Sequence, residues 1–312
     1  MGLKSKLKNT FNALRYEKTQ AHEDEMVLMG DTLLSTKMLL WDSEKLPFTP
    51  DNWDEYGFKV FSQNNEDGLI QYIIHHTDLP QKNFIEFGVE DYRECNTRYL
   101  LLHNNWSGLI MDGSSEWMEA LKKQDIYWRR TIEAKGAFIT KENINKLISE
   151  SGFSGKVGIL SVDIDGNDYW VLNEISCIEP QILICEFNAL FGMKEKVSIP
   201  YKADFYKKDA HYSNLYWGAS LAAFVDIANK REYKLVCLDS LCNNAFFVKR
   251  DASDLPEVSI EEAWRNTFYR ESRDENGNLT FLSLEEGRKL IGDMPVVDVV
   301  SGKEKKISEL SV

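Results

Sequence analysis

The sequence lacks the features of a secreted, zinc-binding or nucleic-acid-binding protein. Its five cysteines lie scattered in apolar stretches without a CxxC pair, which predicts reduced core thiols in a cytoplasmic protein. No stretch approaches the ~18 uninterrupted apolar residues of a membrane span, and no apolar signal-peptide region is present. The 37 basic residues are outnumbered by 50 acidic ones, a net charge of −13, so a nucleic acid is not an expected partner.

Residues 1–18 differ from the rest of the chain because they are basic. They carry five basic side chains and one acidic one, a net +4 that leaves −17 for the other 294 residues. Apolar residues recur there at helical spacing, at Leu3, Leu7, Phe11 and Leu14. The pattern predicts a helix that contacts an anionic membrane surface peripherally. A docking or oligomerisation helix is the alternative, and the oligomeric state is not predicted.

Apolar runs alternate with helical stretches between about residues 55 and 250. The predicted strands are 83–87, 108–112, 137–139, 157–164, 181–187, 233–239 and 244–248, and a helix opened by Gly218 precedes the last two. This alternation predicts an α/β fold with a mostly parallel seven-stranded sheet. Only four residues join the last two strands, so one of them is expected to run antiparallel at one edge.

The segments on either side of this sheet are predicted to be extensions. Residues 1–54 form a helical N-terminal extension, and residues 251–312 form a helical, partly loose C-terminal extension without chemistry of its own. The catalytic domain is therefore expected at residues 55–250.

Acids at the ends of the first two predicted strands indicate a nucleoside ligand. Ligands of open α/β sheets bind beyond the carboxyl ends of the strands. After Glu86, Gly88 allows a sharp turn, but the later glycines of a dinucleotide motif are missing, and Glu90 and Asp91 would repel phosphate. Asp112, at the end of the second strand, suits ribose hydroxyls. A ribose with a positive centre and no phosphate describes S-adenosylmethionine.

A second group of oxygen ligands follows the fourth and fifth strands. Asp163, Asp165 and Asp168 follow the fourth, and Glu186 and Asn188 follow the fifth. Mg²⁺ and Mn²⁺ favour such oxygens.

Two other interpretations of these aspartates stay open. Asp163-x-Asp165 resembles the manganese and nucleotide-sugar motif of many glycosyltransferases. Asp165 and Asp168 would also suit a turn with a helix cap. An EF-hand loop is excluded because Gly166 falls at the wrong position.

The proton acceptor is less well defined. A G-x-S-x-G elbow is missing, and no cysteine has a histidine nearby, so hydrolytic chemistry lacks a candidate. His211 is the predicted general base, with a surface role as the alternative. Tyr212, Tyr216 and Trp217 would form an aromatic wall against a sugar ring, or part of the core.

Eight stretches between residues 58 and 250 carry a family resemblance. They are FSQNNEDGLIQYI, FIEFGVEDYRECNTRYLL, WSGLIMDGS, VDIDGNDYWVL, ICEFN, YWGASLAAFVDIA, YKLV and NNAFFVKR. Together they resemble the FkbM-type methyltransferases and a related, poorly characterised bacterial branch. The resemblance implies a class I, Rossmann-like, S-adenosylmethionine-dependent fold that often methylates hydroxyls of sugars or natural products. The sequence departs from it at Val89-Glu90, where methyltransferases commonly keep a second glycine.

The resemblance implies roles for individual residues. Glu86 and Gly88 would lie in the loop at the methionine side, Asn96 and Thr97 in the helix that opens against the cofactor, and Asp112 at the ribose. The sequence before the first strand would close over the methionine portion. Its structural alternative is a helix start capped by Ser62. The cofactor-binding candidates are therefore Gln63, Glu66, Asp67, Glu86, Gly88, Glu90, Asn96, Thr97 and Asp112.

The acids after the fourth and fifth strands are also similar to those of catechol-type O-methyltransferases, which hold a metal there. The analogy implies Asp163, Glu186 and Asn188, with Asp165, as ligands of Mg²⁺ or Mn²⁺, and Asp163 as catalytic. The predicted enzyme is an O-methyltransferase with a glycan or small-molecule acceptor. A metal-dependent glycosyltransferase and a non-catalytic scaffold are the alternatives.

Overall fold

The computed structural model describes residues 3–41, 47–265 and 271–311, with side chains from residue 21 onward. Helices α1 to α12 are Leu3–Trp41, Trp53–Tyr56, Glu66–His75, Arg98–Leu102, Ser115–Leu121, Asp125–Arg129, Ile144–Glu150, Asp168–Glu174, Lys207–Ala210, Leu221–Lys230, Ile260–Ala263 and Leu284–Leu290. Strands β1 to β10 are Asn83–Phe87, Ser107–Asp112, Ile132–Gly136, Gly155–Val162, Ile178–Glu186, Val197–Ser198, Tyr233–Leu238, Asn244–Lys249, Pro295–Asp298 and Glu304–Lys306.

The main sheet has seven strands in the order β3-β2-β1-β4-β5-β8-β7. The pairs from β3 to β5 are parallel, and β8 is antiparallel to both β5 and β7. The predicted sheet, with its antiparallel strand in the last pair at one edge, is confirmed. The strand order reverses beside β1, so the carboxyl ends of β1 and β4 frame the crevice where a ligand is expected.

Two predicted boundaries were wrong for identifiable reasons. The third strand is Ile132–Gly136 instead of 137–139, because it is an edge strand in which polar residues alternate with Ile132 and Ala134. Helix α10 begins at Leu221, and the Ser220 hydroxyl caps it by accepting a hydrogen bond from the Ala223 N–H at 3.1 Å. Gly218, with φ +69°, makes the turn before the cap.

The C-terminal segment is packed and partly β-structured, contrary to the predicted loose helical extension. Strands β9 and β10 form a second sheet with β6, in the order β10-β9-β6. A second apolar core holds this region together and consists of Leu190, Phe191, Val197, Ile199, Leu215, Tyr216, Ile291, Val296, Ile307 and Leu310. We call residues 189–217 and 271–311 the cap, because they come from separate parts of the sequence but share this core.

Helix α1 packs across α4 through its second half. Arg98 forms an ion pair with Glu23, and the Tyr99 hydroxyl donates to Asp31 at 3.0 Å. The predicted membrane-facing side chains of residues 1–18 lie outside the described side chains, so that interpretation stays a prediction. In the described part of the chain, no helix has the length and apolar character to cross a membrane.

Candidate active site

A cleft of about 1080 Å³ opens at the carboxyl ends of β1, β2, β4 and β5. The loops after these strands form its floor, as the reversal of strand order predicts. The cap contributes one wall, with Phe205, Tyr206, Lys207, Lys208, Asn214 and Glu271. The predicted C-terminal extension therefore reaches the site, although its sequence gave no chemical signal.

Gly88 brings the two predicted groups of site residues together. Its φ is +73°, and its N–H donates to the Met111 carbonyl at 2.9 Å. A Cβ at this position would lie 1.6 Å from the Asp163 carbonyl oxygen. Only glycine fits between the β1 and β4 loops, and the nucleoside and acidic groups therefore share one cleft.

Asp112 lies in the cleft at the end of β2, as predicted. The residue is 9% exposed, and its Oδ2 accepts from the Glu90 N–H at 2.8 Å and its Oδ1 from the Ser114 N–H at 2.7 Å. Each carboxylate oxygen has a second lone pair. The side chain can therefore hold the Glu90 loop and still accept hydrogen bonds from two adjacent hydroxyls.

Glu86 also lines the cleft, but its carboxylate oxygens accept hydrogen bonds from other residues of the protein. They accept from the N–H groups of Asn96 and Thr97 at 2.9 and 3.0 Å and from the Thr97 hydroxyl. Desolvation by burial raises the pKa of Glu86 to about 7 in spite of these bonds. Asn96 lines the cleft, whereas Thr97 is fully buried beneath it and is not among the described lining residues. Thr97 therefore does not make the predicted contact with the cofactor. It positions the Glu86 carboxylate instead.

Glu66 and Asp67 organise the loop before β1 instead of lining the cleft. Asp67 Oδ2 accepts from the N–H groups of Val60, Phe61 and Ser62 at 2.6 to 2.8 Å. The Ser62 hydroxyl accepts from the Asp67 N–H at 3.1 Å. Among the three predicted ligands of this segment, only Gln63 is a described lining residue. Both acids lie in the first turn of α3, as the structural alternative predicts, but the N-cap is Asn65 and not Ser62.

Three carboxylates gather where β4 and β5 end. Asp163, Asp165 and Glu186 each present an oxygen within 4.8 Å of the others, a spacing compatible with one metal ion. Desolvation, followed by repulsion between the carboxylates, raises the pKa of Asp163 to about 8 and that of Glu186 well above its usual range. The ammonium of Lys207 lies 2.5 Å from Asp165 Oδ1. We refer to the three acids as the carboxylate cluster.

Asn188 does not join the carboxylate cluster, contrary to its prediction as a metal ligand. It is fully buried, its Oδ1 accepts from the Leu190 N–H, and its Nδ2 donates to the Leu215 and Trp217 carbonyls, each at 3.0 Å. The amide therefore anchors the start of the cap. Asp168 is likewise structural, because its oxygens accept from the Ile164 and Gly166 N–H groups at 2.7 and 2.8 Å.

His211 lies outside the described cleft lining, so the structure does not support its predicted role as general base. Its Nδ1 lies 2.7 Å from the Ser213 hydroxyl, and its ring stacks on Tyr212 at 4.5 Å. Desolvation lowers the pKa of His211. These contacts give the ring a structural role in the cap.

The aromatic wall exists, but different residues form it. Tyr216 and Trp217 are buried, and the Tyr216 hydroxyl donates to the Pro295 carbonyl at 2.6 Å. Tyr212 is not among the described lining residues, and the aromatic residues that line the cleft are Phe87, Trp117, Phe138, Phe205 and Tyr206. Trp117 lies five residues after Asp112, which was predicted to bind the ribose. This closeness in the sequence could have identified Trp117 as a site residue.

Changing Glu186→Gln is expected to flatten the pH dependence of stability. Because the pKa of Asp163 rises from its ordinary 3.8 to about 8 in the folded protein, the folded state holds a proton that the unfolded chain releases. The free energy of unfolding of the wild-type protein should therefore fall as pH rises from about 4 to about 8. Burial and repulsion from Asp163 also raise the pKa of Glu186 well above its ordinary value, so Glu186→Gln removes one of the acids that favour the unfolded state at high pH and should melt at a higher temperature than the wild type at pH 8.

Thermal unfolding in the presence of a chelator, from pH 5 to pH 8, measures this effect. Glu116→Gln, an exposed acid outside the described cleft lining, is the control for net charge. Parallel curves for the wild type and Glu186→Gln would contradict the interpretation.

No family model and no curated protein matches the chain. Solved structures similar to it include the CurJ carbon methyltransferase, 12% identical with a TM-score of 0.39 over 62% of this chain and 57% of that one. The N-terminal domain of EvdMO1 with SAH bound is 10% identical, with a TM-score of 0.36 over 69% and 94% of the two chains. The O-methyltransferase from Bacillus cereus in complex with SAH is 10% identical, with a TM-score of 0.38 over 70% and 91%.

The chain thus spans little more than half of CurJ and nearly all of the other two. The FkbM resemblance stays a prediction. The sheet order β3-β2-β1-β4-β5-β8-β7, with β8 antiparallel, comes from this chain's own strand pairing. This strand order is that of the class I methyltransferase fold, and the chain therefore has this fold.

Proposed function

We propose that this protein is an S-adenosylmethionine-dependent O-methyltransferase of the FkbM type, acting on a hydroxyl of a glycan or glycosylated metabolite. The observation that carries the proposal is the meeting of the Gly88 turn, Asp112 and the carboxylate cluster in one cleft. This cleft lies at the switch point of the sheet, where such folds bind their ligands.

The nucleoside would lie along the β1 and β2 loops. Asp112 offers acceptors to the ribose hydroxyls, and Trp117 and Phe138 offer faces for a flat purine. Glu90 and Asp91 line the same stretch and favour the cationic sulfonium cofactor over a phosphate-bearing nucleotide. The product of transfer has lost that charge and should bind less tightly at its sulfur end.

The acceptor would lie between the carboxylate cluster and the cap. Tyr206 is 52% exposed on this wall and suits stacking against a sugar ring. The amide side chains of Gln63, Asn243 and Asn244 line the cleft and can donate to and accept from sugar hydroxyls. This pairing of an aromatic face with amides supports a carbohydrate acceptor.

The carboxylate cluster fits a hard divalent cation. Glu186 and Asn167 line the cleft, and Glu186 Oε2 and Asn167 Oδ1 are buried without a hydrogen-bond partner among the described residues. A cation such as Mg²⁺ or Mn²⁺, held by Asp163, Asp165 and Glu186, would lower the pKa of an acceptor hydroxyl. Asp163 lines the cleft next to the Gly88 turn, and with a cation bound it would accept the hydroxyl proton during in-line transfer of the methyl group.

Calorimetric titration with S-adenosylmethionine and with its demethylated product tests the proposal first. Micromolar binding, followed by transfer of a labelled methyl group to glycans with free hydroxyls, is the expected result. Mn²⁺-dependent binding of a nucleotide sugar without binding of the methyl donor would favour the glycosyltransferase. No binding of either ligand by a folded protein would favour the scaffold.

A further inference from the structure

The carboxylate cluster faces a cation that belongs to the cap. Lys207 Nζ lies 2.5 Å from Asp165 Oδ1 and 4.0 Å from Glu271 Oε2, and it sits 4.8 Å from the centre of the Trp217 ring. Its side chain is only 11% exposed. In such a poorly hydrated place the ammonium interacts strongly with the nearby acids. Lys207 therefore supplies positive charge at the place where a metal ion would supply it.

We infer that Lys207 and a divalent cation are alternative occupants of the carboxylate cluster, and that a bound cation moves the Lys207 ammonium from Asp165 towards Glu271. The inference deepens the proposed function and rests on its metal-assisted form. According to the inference, Lys207 controls the affinity of the carboxylate cluster for the cation. Because Lys207 belongs to the cap, cation binding would also affect the wall that we propose to contact the acceptor.

The unsatisfied oxygens show why Lys207 alone does not complete the site. Glu186 is 8% exposed and Asn167 3% exposed; both residues line the cleft, and each has one buried oxygen without a hydrogen-bond partner in the described structure. A buried acceptor without a partner is costly. An ammonium has one charge and three donors, whereas Mg²⁺ or Mn²⁺ has two charges and takes about six oxygens, some of them from water.

The surroundings of Lys207 allow the displacement. The residue opens α9, a four-residue helix with no buried residue, so the backbone at Lys207 is not fixed in the core, although its side chain is 11% exposed and lies over the Trp217 ring. Glu271 comes from the other segment of the cap and offers a second carboxylate 4.0 Å from Nζ. A cation at Asp165 would repel the ammonium, and Glu271 would receive it.

Titration of the protein with Mn²⁺ tests the inference. Electron paramagnetic resonance measures the free ion at each step. Lys207→Met should bind Mn²⁺ ~10-fold more tightly than the wild type, because the competing charge is gone. Lys208→Met is the matched control, since Lys208 is exposed on the same helix and lines the same cleft. It should change the affinity by no more than ~2-fold.

Glu271→Gln gives an effect of the opposite sign. Without its second partner the ammonium stays at Asp165, and Mn²⁺ should bind a few-fold more weakly than to the wild type. Asp163→Asn should lose most of the Mn²⁺ binding. Thermal unfolding of each variant verifies that it is folded.

Equal Mn²⁺ affinity of the wild type and Lys207→Met would overturn the inference, as would the absence of Mn²⁺ binding from both folded proteins. Titration of the same preparations with S-adenosylmethionine separates this result from the proposed function. Cofactor binding without the Lys207 effect rejects the inference alone. The Lys207 effect without cofactor binding supports the competition and rejects the methyltransferase.

Discussion

Asp112→Ala is expected to weaken S-adenosylmethionine binding by ~10-fold to ~100-fold. A hydrogen bond to a charged group contributes about 1.5 to 3 kcal/mol, and the substitution removes both acceptors that we propose for the ribose. It also frees the N–H groups of Glu90 and Ser114, which Asp112 now holds at 2.8 and 2.7 Å, so the loop beside the ligand loses its anchor. Calorimetric titration of the variant and the wild type measures the change in the dissociation constant.

Two variants make the result for Asp112 specific. Asp112→Asn keeps the shape of the side chain and one acceptor oxygen, and should fall between the wild type and Asp112→Ala. Glu116→Ala removes an exposed acid from α5 and should bind the cofactor like the wild type. If all these proteins bound the methyl donor equally, Asp112 would have no part in the nucleoside site.

Gly88→Ala is expected to lower the free energy of unfolding by ~3 kcal/mol or more, because a Cβ cannot fit where the β1 and β4 loops touch. The 1.6 Å approach to the Asp163 carbonyl oxygen requires the backbone to move, and backbone is not as adaptable as the end of a side chain. Because the same movement separates the nucleoside loop from the carboxylate cluster, cofactor binding should fall as well. Denaturant unfolding and calorimetric titration measure the two effects.

Gly152 offers a matched control that measures the cost of the left-handed backbone conformation without a steric clash. Its φ is +78°, close to that of Gly88, yet nothing lies within 4 Å of a Cβ built there. Gly152→Ala should therefore lose only the ~1 to 2 kcal/mol of the left-handed conformation. Similar losses at both glycines would mean that the contact between the two loops does not determine the role of Gly88.

The sheet was predictable where burial is complete. Strand β1 was predicted with its observed ends because Phe84, Ile85 and Phe87 are fully buried, and buried strands are mostly apolar; Glu86 is the polar exception within it. Strand β3 was misplaced because an edge strand needs only every second residue to be apolar. The cap was missed because Ser198 pairs with Val297, about 100 residues later in the chain, and local patterns carry no information on such a partner.

The residue types that gather at the site were predictable from the sequence. Which of their oxygens accept hydrogen bonds from the protein itself was not. Gly88, Asp112 and Asp163 follow strand ends, and parallel strands bring those ends to one edge of the sheet. Asn188 and Asp67 are equally polar in the sequence, yet a backbone N–H group occupies Asn188 Oδ1 and three occupy Asp67 Oδ2. Which acceptors are occupied in this way depends on tertiary contacts, because buried backbone groups need partners.

The pairing of β6 with β9 sets an order for events during translation. The loops that would hold the cofactor come from the first half of the sequence, whereas β9 and β10 leave the ribosome after β1 to β8 and close the second sheet over residues 189–217. Until then β6 has an unpaired edge, and the acceptor wall lacks its support. A nascent chain of this protein would therefore form the floor of the cleft before it completes the wall that the cap contributes.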